Sequence, residues 1–217
     1  MQERQKNRAL YFQELATTSK KYFIPYISKH KEIKPDMHIL EIGCGDGGNL
    51  LPFSEMGCRI IGVDMAGSRI KDAIRFFQEQ NRPGTFIASD IFKLKELEHQ
   101  FDIIICHDVL EHIENKGLFL SNLRRYVKED GIVFMSFPAW QMPFGGHQQI
   151  CKSKVVSHLP FIHLLPNFLY KSILKAGGED APCMKELFDI KKTRTSIELF
   201  EKLARKENIT VSDRQLY

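Results

Sequence analysis

The sequence predicts an α/β fold with a doubly wound, mostly parallel sheet, helices on both faces and an insertion after the fifth strand. Short apolar runs recur along the first two thirds of the chain, and most are separated by enough residues for one helix. A glycine-rich turn follows the first run, and the alternation stops after the fifth. Because strands joined through helices favour parallel pairing and right-handed crossovers, this order indicates successive βαβ units.

The predicted strands are short runs rich in Ile, Val and Phe, which favour extended backbone on a buried surface. They are His38–Gly43, Arg59–Asp64, Thr85–Asp90, Phe101–Cys106 and Ile132–Phe137. The pair Asp130-Gly131 predicts a turn before the fifth strand. We also expect a last strand at Ile209–Ser212.

The predicted helices carry apolar residues at helical spacing. They are Met1 to about Lys31, Asn49–Met56, Ser68–Gln80, Leu118–Val127 and Ser196–Lys206. Pro25 redirects the first helix, and Pro52 fits the first turn of the second. Ser68 is placed to cap the third.

The length of 217 residues suits a single domain, which we divide into four segments. These are an N-terminal helical segment 1–35, a core 36–137, an insert 138–195 and a C-terminal helix and strand 196–217. The insert is rich in Pro, Gly, His and aromatic residues and lacks strand alternation. The regular alternation of the core therefore ends where the insert begins.

Composition excludes several classes of protein. The net charge of +4 is spread along the chain, so no nucleic-acid partner is expected. The polar start Met1–Lys6 is not followed by an apolar stretch, which argues against a secretory signal, and no run is long enough to span a bilayer. The five cysteines are odd in number and form no C-x-x-C pair, so we expect neither a zinc site nor a disulfide framework. We expect reduced thiols and a cytoplasmic location.

A glycine-rich segment, Glu41 to Gly48, lies where the first strand meets a helix. Glycines there let a ligand approach the backbone, and the helix start offers N–H groups to an anion. Gly43, Gly45 and Gly48 fit the G-x-G-x-x-G pattern of dinucleotide sites. Gly43, Gly45 and Gly47, preceded by Glu41, fit E-x-G-x-G-x-G. Asp64 ends the second strand at the distance expected of a ribose-binding acid, which suits both patterns.

Two later segments of the sequence distinguish between the two glycine patterns. Ser89-Asp90-Ile91 ends the third strand, and Val109-Leu110-Glu111-His112-Ile113 follows the fourth. With the glycine loop and the helix–turn–strand segment Tyr126–Phe134, they resemble the class I S-adenosylmethionine-dependent methyltransferases over residues 36–137. The likeness is to the small-molecule and quinone O-methyltransferases, the type 11 branch, whose fold is Rossmann-like.

The resemblance implies a cofactor, S-adenosylmethionine, and a role for each matching residue. The amino-acid end of the cofactor would contact Glu41, Gly43, Cys44 and Gly45, and the ribose would contact Asp64. The adenine would contact Met65, Asp90 and Ile91, and His107 would approach the sulfonium side. All of these residues belong to the carboxyl edge of the sheet, where open α/β sheets bind ligands.

Transfer to a hydroxyl also needs a base or a metal. Asp108, Glu111 and His112 would share one face of a helix and resemble an acid-x-x-Glu-His set that binds a divalent ion in some O-methyltransferases, although those enzymes more often begin with Glu. The alternative is that the pair Glu111-His112 binds no metal and only supports the fold. His147 follows paired glycines and is our candidate catalytic residue, as a base, a ligand of the same metal or a substrate contact.

The segment Val155–Leu174 is too apolar for a solvated loop and too interrupted by Pro160 and Pro166 for one long helix. We expect a lid over the substrate, although nearby lysines also permit peripheral contact with a membrane.

The predicted function is methyl transfer to a small-molecule or lipid-like acceptor, and two other classes of protein are the alternatives. A nicotinamide-dependent oxidoreductase explains the glycines and Asp64 but not Asp90, and a non-catalytic cofactor-binding scaffold would use the apolar insert for docking. We expect oxygen as the accepting atom. The family fold closes with an antiparallel hairpin, whereas this sequence reaches Tyr217 about one strand into it, so either the natural chain is longer or the sheet closes differently.

Overall fold

A five-stranded, all-parallel sheet forms the centre of the computed structural model, which describes residues 7–216. Its order is β3-β2-β1-β4-β5. The strands are β1 His38–Ile42, β2 Arg59–Asp64, β3 Thr85–Ala88, β4 Phe101–His107 and β5 Val127–Ser136. This confirms the predicted α/β fold with a doubly wound sheet, whose direction of winding reverses between β1 and β4.

α-Helices connect most of the strands and recur after β5. They are α1 Arg8–Thr18, α2 Ile24–Ser28, α3 Leu51–Glu55, α4 Gly67–Glu79, α5 Lys116–Leu123, α6 Lys154–His158, α7 Asn167–Ala176, α8 Ala181–Thr193 and α9 Ile197–Lys206. A π-helical turn, Ser19–Phe23, joins α1 to α2, and Pro25 occupies the first turn of α2. Pro52 likewise occupies the first turn of α3, as its missing N–H predicts.

The chain forms two compact units. The sheet unit contains the described residues up to Val109 together with Asn122–Ser136. The helical unit contains Leu110–Ser121 and the residues from Phe137 onward. Our division of a single domain into four segments remains a prediction.

The core of the sheet unit lies on the sheet and under the N-terminal helix. Every residue from Phe101 to Cys106 is buried, which explains why this strand reads as a continuous apolar run. Phe12 of α1 is 1% exposed, and its ring stacks at 4.9 Å on Phe76 of α4. The N-terminal helix is therefore part of the folded core.

The helical unit has a hydrophobic core of its own. Its buried members are Cys151, Val156, Ile162, Tyr170, Leu174 and Leu187. Short helices separated at Pro160 and Pro166 replace one long helix, as predicted. The insert is thus a packed assembly of helices.

Three local predictions are wrong or altered. Residues Ile209–Ser212 form no strand, because no sheet edge pairs with them in the described part of the chain. Asp130-Gly131 lies inside β5, where the register shifts between the pairs formed by Phe101 and Ile103. Ala66 rather than Ser68 is the N-cap of α4, and its N–H is bound by Asp64.

The predictions for the first residues, Met1–Lys6, lie outside the described residues. Each helix in the described part falls short of the length and apolarity that a membrane span requires.

Candidate functional site

The glycine loop lies at the point where the winding of the sheet reverses. β1 pairs with β2 on one side and with β4 on the other, so the loops that leave β1 and β4 diverge there. Gly43 has φ +72°, and a Cβ on it would lie 2.3 Å from Val109 Cγ2 in the loop after β4. Both the backbone conformation and this close approach require glycine.

Asp64 fastens the glycine loop to the end of β2. Its Oδ2 accepts a hydrogen bond of 2.9 Å from Gly45 N–H, and its Oδ1 accepts one of 2.7 Å from Ala66 N–H. The carboxylate is partly exposed. Each oxygen has a second lone pair, so the same group can still accept from a ligand hydroxyl.

Glu41 lies beneath the glycine loop and is 1% exposed. Its Oε1 accepts a hydrogen bond of 2.7 Å from Asn49 Nδ2, whereas its Oε2 has no hydrogen-bond partner among the described residues. Burial raises the pKa of this carboxyl to about 8, and the bond from Asn49 only partly offsets that effect. At neutral pH the side chain is therefore largely protonated, and a cation placed beside it would favour the charged form.

The N-terminal helix covers the same loop. Arg8 donates hydrogen bonds to Asp46 Oδ1 at 3.1 Å and Asp72 Oδ2 at 2.8 Å, and Arg69 Nη1 lies 3.9 Å from Asp46 Oδ2. A Cβ on Gly48 would lie 2.4 Å from the carbonyl oxygen of Phe12. The close packing of α1, rather than a ligand, explains the glycine at position 48.

Cys44 is buried within the loop, and burial followed by the Glu41 carboxylate raises the pKa of its thiol well above the usual range. It therefore stays a neutral thiol and is a poor nucleophile.

The three residues assigned to the adenine differ in exposure. Met65 follows β2 and is 81% exposed. Asp90 caps a short 3₁₀ turn by accepting from Phe92 N–H at 3.1 Å. Ile91 is buried, and its carbonyl oxygen accepts from the Tyr126 hydroxyl at 2.8 Å.

His107 ends β4, and Asp108 follows it. His107 Nδ1 lies 2.6 Å from Ser136 Oγ, and its ring packs on Phe23 at 5.1 Å between centroids. Asp108 has φ +53°, and its Oδ2 lies 3.4 Å from His107 Nε2. Asp108 belongs to the sheet unit, whereas Glu111 and His112 belong to the helical unit.

Within the helical unit, Glu111, His112 and His147 come together, with one ligand atom of each within 4.8 Å of the others. His147 Nε2 lies 3.3 Å and His112 Nε2 lies 3.9 Å from Glu111 Oε1. Glu111 is 1% exposed, and neither of its carboxylate oxygens accepts a hydrogen bond from a described residue. A nearby cation stabilises a buried carboxylate, and the Lys116 ammonium, an imidazolium or a metal ion can supply that charge.

Local backbone contacts and conformation position two members of this cluster, Glu111 and His147. Thr193 Oγ1 donates a hydrogen bond of 2.6 Å to the carbonyl oxygen of Glu111. His147 has φ +58°, a left-handed conformation that costs about 1–3 kcal/mol for a residue other than glycine. A Cβ on the preceding Gly146 would lie 2.2 Å from His163 Cβ, so the paired glycines are required by packing.

A family model described as a methyltransferase domain matches residues 33–197. The chain belongs to this methyltransferase family. The match covers the glycine loop, the end of β2, the loop after β4 and His147. The resemblance to the class I methyltransferases is confirmed.

Relatives in the family match the core of the chain. A ubiquinone biosynthesis O-methyltransferase of Rickettsia bellii (strain OSU 85-389) is 33% identical over 115 residues, which are 53% of this chain and 48% of that protein. The protein of the same name from Rickettsia canadensis (strain McKiel) is 31% identical over the same shares of the two chains. The chain thus spans about half the length of the curated relatives it matches.

Solved structures extend the likeness in fold. The plantazolicin methyltransferase BpumL, in complex with a pentazolic desmethylPZN analog and SAH, superposes with a TM-score of 0.62. It is 19% identical and covers 90% of this chain and 63% of its own. At this identity the similarity supports the methyltransferase fold.

The structure adds residues that the sequence analysis did not single out. Asn49 binds Glu41, while Arg8 and Arg69 surround Asp46. The acid in the middle of the glycine loop was the available signal, because a buried aspartate there needs cationic partners.

Proposed function

We propose that the chain is an S-adenosylmethionine-dependent methyltransferase that acts on a hydroxyl group of a small-molecule or lipid-like acceptor. The observation that carries this proposal is the arrangement at the carboxyl edge of β1 and β2, where Asp64 binds the backbone of the glycine loop. Membership of the methyltransferase family supports the reaction class. The names of the Rickettsia relatives support oxygen as the accepting atom.

The residues at this edge fit such a cofactor. Glu41 Oε2 is buried without a hydrogen-bond partner, and the protonated carboxyl becomes a carboxylate when a cation lies near it. An ammonium group, as on the amino-acid end of the cofactor, supplies that cation. Asp64 presents paired acceptor oxygens of the kind that two ribose hydroxyls require.

In this proposal, Gly43, Cys44 and Gly45 hold the amino-acid end through their backbone. Asp90, Ile91 and the exposed Met65 enclose the adenine, and His107 approaches the sulfonium side. S-adenosylmethionine supplies an electrophilic methyl group when it is bound, and the protein supplies orientation and exclusion of water. A nicotinamide cofactor gains no support, because the family match accounts for the loop.

We propose His147 as the general base. His147 Nε2 lies 3.3 Å from Glu111 Oε1, and in this proposal the other ring nitrogen, Nδ1, accepts the proton of the acceptor hydroxyl. The buried carboxylate then stabilises the imidazolium that forms, as the acid of a catalytic triad does.

A divalent metal is the second arrangement that this cluster supports. Glu111, His112 and His147 offer one oxygen and two nitrogens, and the carboxylate oxygens lack hydrogen-bond donors. An ion held there would lower the pKa of a hydroxyl bound to it. The Asp108 of the predicted ligand set lies in the other unit, so the proposed ligands within the helical unit are Glu111, His112 and His147.

For the insert, we retain the proposal of a lid over the substrate, formed by the packed helices described above. A peripheral membrane contact through residues 155–174 is supported by exposed apolar side chains in this segment and by exposed lysines within and beside it. The exposed apolar side chains include Val155, Phe161, Leu164 and Phe168, and the exposed lysines are Lys154, Lys171 and Lys175. Sedimentation with phosphatidylglycerol vesicles tests this, and equal binding of Phe168→Asp would contradict it. A cytoplasmic location and the lack of a nucleic-acid partner stay predictions.

Transfer of a labelled methyl group tests the proposed function. The protein is incubated with methyl-labelled S-adenosylmethionine and a panel of phenols, catechols and prenylated quinols. We expect label in an ether product of at least one acceptor, together with equimolar S-adenosylhomocysteine. Label on nitrogen or carbon alone would contradict oxygen transfer, and no turnover with cofactor bound would favour a scaffold.

A further inference from the structure

A second group of metal-ligating side chains lies in the helical unit and shares no member with the Glu111 cluster. It consists of Cys151, Glu179 and Cys183, with one ligand atom of each within 4.8 Å of the others. Cys151 follows the 3₁₀ turn Gln148–Ile150, and Cys183 lies in the first turn of α8. Two sulfur atoms and a carboxylate therefore meet where two separate parts of the insert pack together.

The carboxylate of this group is fixed in place. Glu179 is 8% exposed, its Oε2 accepts from Lys152 N–H at 2.9 Å, and its Oε1 accepts from Ser153 N–H at 2.9 Å. In residues 7–216 it takes part in no ion pair, since the Lys152 ammonium binds Asp180 instead. The two N–H bonds orient the carboxylate and leave the second lone pair of each oxygen available to a cation.

The two sulfur atoms face this carboxylate from a sheltered position. Cys151 is fully buried and Cys183 is partly buried. Burial raises the pKa of the Cys151 thiol to about 11 and that of Cys183 to about 12. The cysteines are thiols at neutral pH unless a cation displaces their protons.

A buried hydroxyl completes the surroundings. Tyr170 is 0% exposed, and its hydroxyl oxygen has no hydrogen-bond partner among the described residues. Tyr170 lies in the same hydrophobic core as Cys151, and Cys183 packs against that core. Burial raises the pKa of the Tyr170 hydroxyl. The group therefore contains an unsatisfied polar atom that can bind a ligand water.

We propose that Cys151, Cys183 and Glu179 bind a divalent cation that favours sulfur ligands, such as Zn²⁺. Zinc takes two thiolates at about 2.3 Å and a carboxylate oxygen at about 2.0–2.2 Å, so ligand atoms already within 4.8 Å need to move little. The fourth tetrahedral position takes a water that the Tyr170 hydroxyl can bind.

Binding exchanges protons for the metal. The two S–H bonds break, both protons pass to solvent, and two S–metal bonds and one O–metal bond form. Below the pKa values of the thiols, the apparent affinity therefore rises by about 100-fold per pH unit, because two protons leave. The cation links the loop after Ile150 to α8 and so stabilises the helical unit.

Cobalt spectroscopy of the reduced full-length protein tests the site. Co²⁺ bound by thiolates gives intense near-ultraviolet charge-transfer absorption, which the Glu111 cluster cannot give because it has no sulfur. We expect this absorption at one equivalent of Co²⁺, displacement by one equivalent of Zn²⁺, and its loss in Cys183→Ser. Cys58→Ser is the matched control, since Cys58 is another buried thiol outside the group and should leave the absorption unchanged.

Two results would overturn the proposal. One is the lack of charge-transfer absorption in the folded parent protein at pH 8 with excess Co²⁺. The other is a Cys151–Cys183 disulfide, seen as a mass loss of two hydrogens, that forms as readily with equimolar Zn²⁺ as without it. Circular dichroism of Cys183→Ser separates loss of ligand from loss of fold, and Cys183→Ala provides a second test with the same expected loss.

Discussion

The Nε2 atom of His147 lies 3.3 Å from Oε1 of Glu111, although the two residues come from loops on opposite sides of β5 in the sequence. The carboxylate is buried, and the imidazole is held by a left-handed backbone. The proposed role of His147 as a base rests on this pairing of an imidazole with a carboxylate.

Replacing His147 by Ala should lower kcat about 10²–10⁴-fold if the ring is the base, because proton transfer contributes on that scale. The affinity for S-adenosylhomocysteine should change little. Steady-state kinetics and calorimetry measure the two quantities. His158→Ala is the control, since His158 is an exposed histidine of the same insert.

The same variant also tests the metal arrangement. Restoration of turnover by Mg²⁺ or Mn²⁺ would assign His147 to a ligand set with Glu111 and His112. Full turnover of His147→Ala on the authentic acceptor would exclude both roles.

Much of the fold could be predicted because its signals are local. β2, Arg59–Asp64, has the predicted limits, and Pro52 lies in the predicted first turn. The failed strand at Ile209–Ser212 shows the limit of such signals, because an apolar, β-branched segment becomes a strand only where a sheet edge pairs with it.

Asp64→Ala should weaken S-adenosylmethionine and S-adenosylhomocysteine alike, by about 1.5–3 kcal/mol or roughly 10–150-fold. The change removes an acceptor for the ribose and also releases the Gly45 and Ala66 N–H groups. Calorimetry gives the affinities, with the exposed Asp189→Ala as control. Unchanged affinity would remove Asp64 from the cofactor site.

Glu41 should make the stability of the protein depend on pH. Its folded pKa of about 8 lies above the ordinary value of 4.5, so between these pH values the folded state holds a proton that the unfolded state has lost. The free energy of unfolding therefore falls as pH rises through this window, by on the order of a few kcal/mol. Denaturant unfolding from pH 5 to pH 9 measures the slope.

Glu41→Gln should flatten this slope, because the amide does not titrate and can still accept from Asn49. Glu14→Gln, which changes an exposed carboxyl of α1, is the control. An equal slope in parent and Glu41→Gln would show that another group causes the pH dependence.

Gly43→Ala should destabilise the protein by more than the roughly 1–2 kcal/mol that left-handed backbone costs an alanine, because the new methyl group meets Val109 at 2.3 Å. Gly178→Ala isolates the backbone cost, since Gly178 has φ +75° and nothing within 4 Å of its Cβ position. Denaturant unfolding measures the free energy that each variant loses. Equal losses of stability would mean that the glycine loop shifts to make room for the methyl group.

The site was less predictable than the fold, for a physical reason. The glycine pattern and Asp64 stand close together in sequence, and their assignment follows from a local motif. The contact of Glu111 with His147, the bond from Asn49 to Glu41 and the ligand group of Cys151, Glu179 and Cys183 depend on how distant segments pack. No periodicity encodes such meetings, so only the folded chain reveals them.

Calorimetric titration of the parent protein with S-adenosylhomocysteine and with NADH tests the central claim most directly. We expect saturable one-to-one binding of S-adenosylhomocysteine at micromolar concentration and no measurable heat with NADH. Saturable binding of NADH that is tighter than that of S-adenosylhomocysteine, or no binding of S-adenosylhomocysteine by the folded protein, would contradict the account of this site.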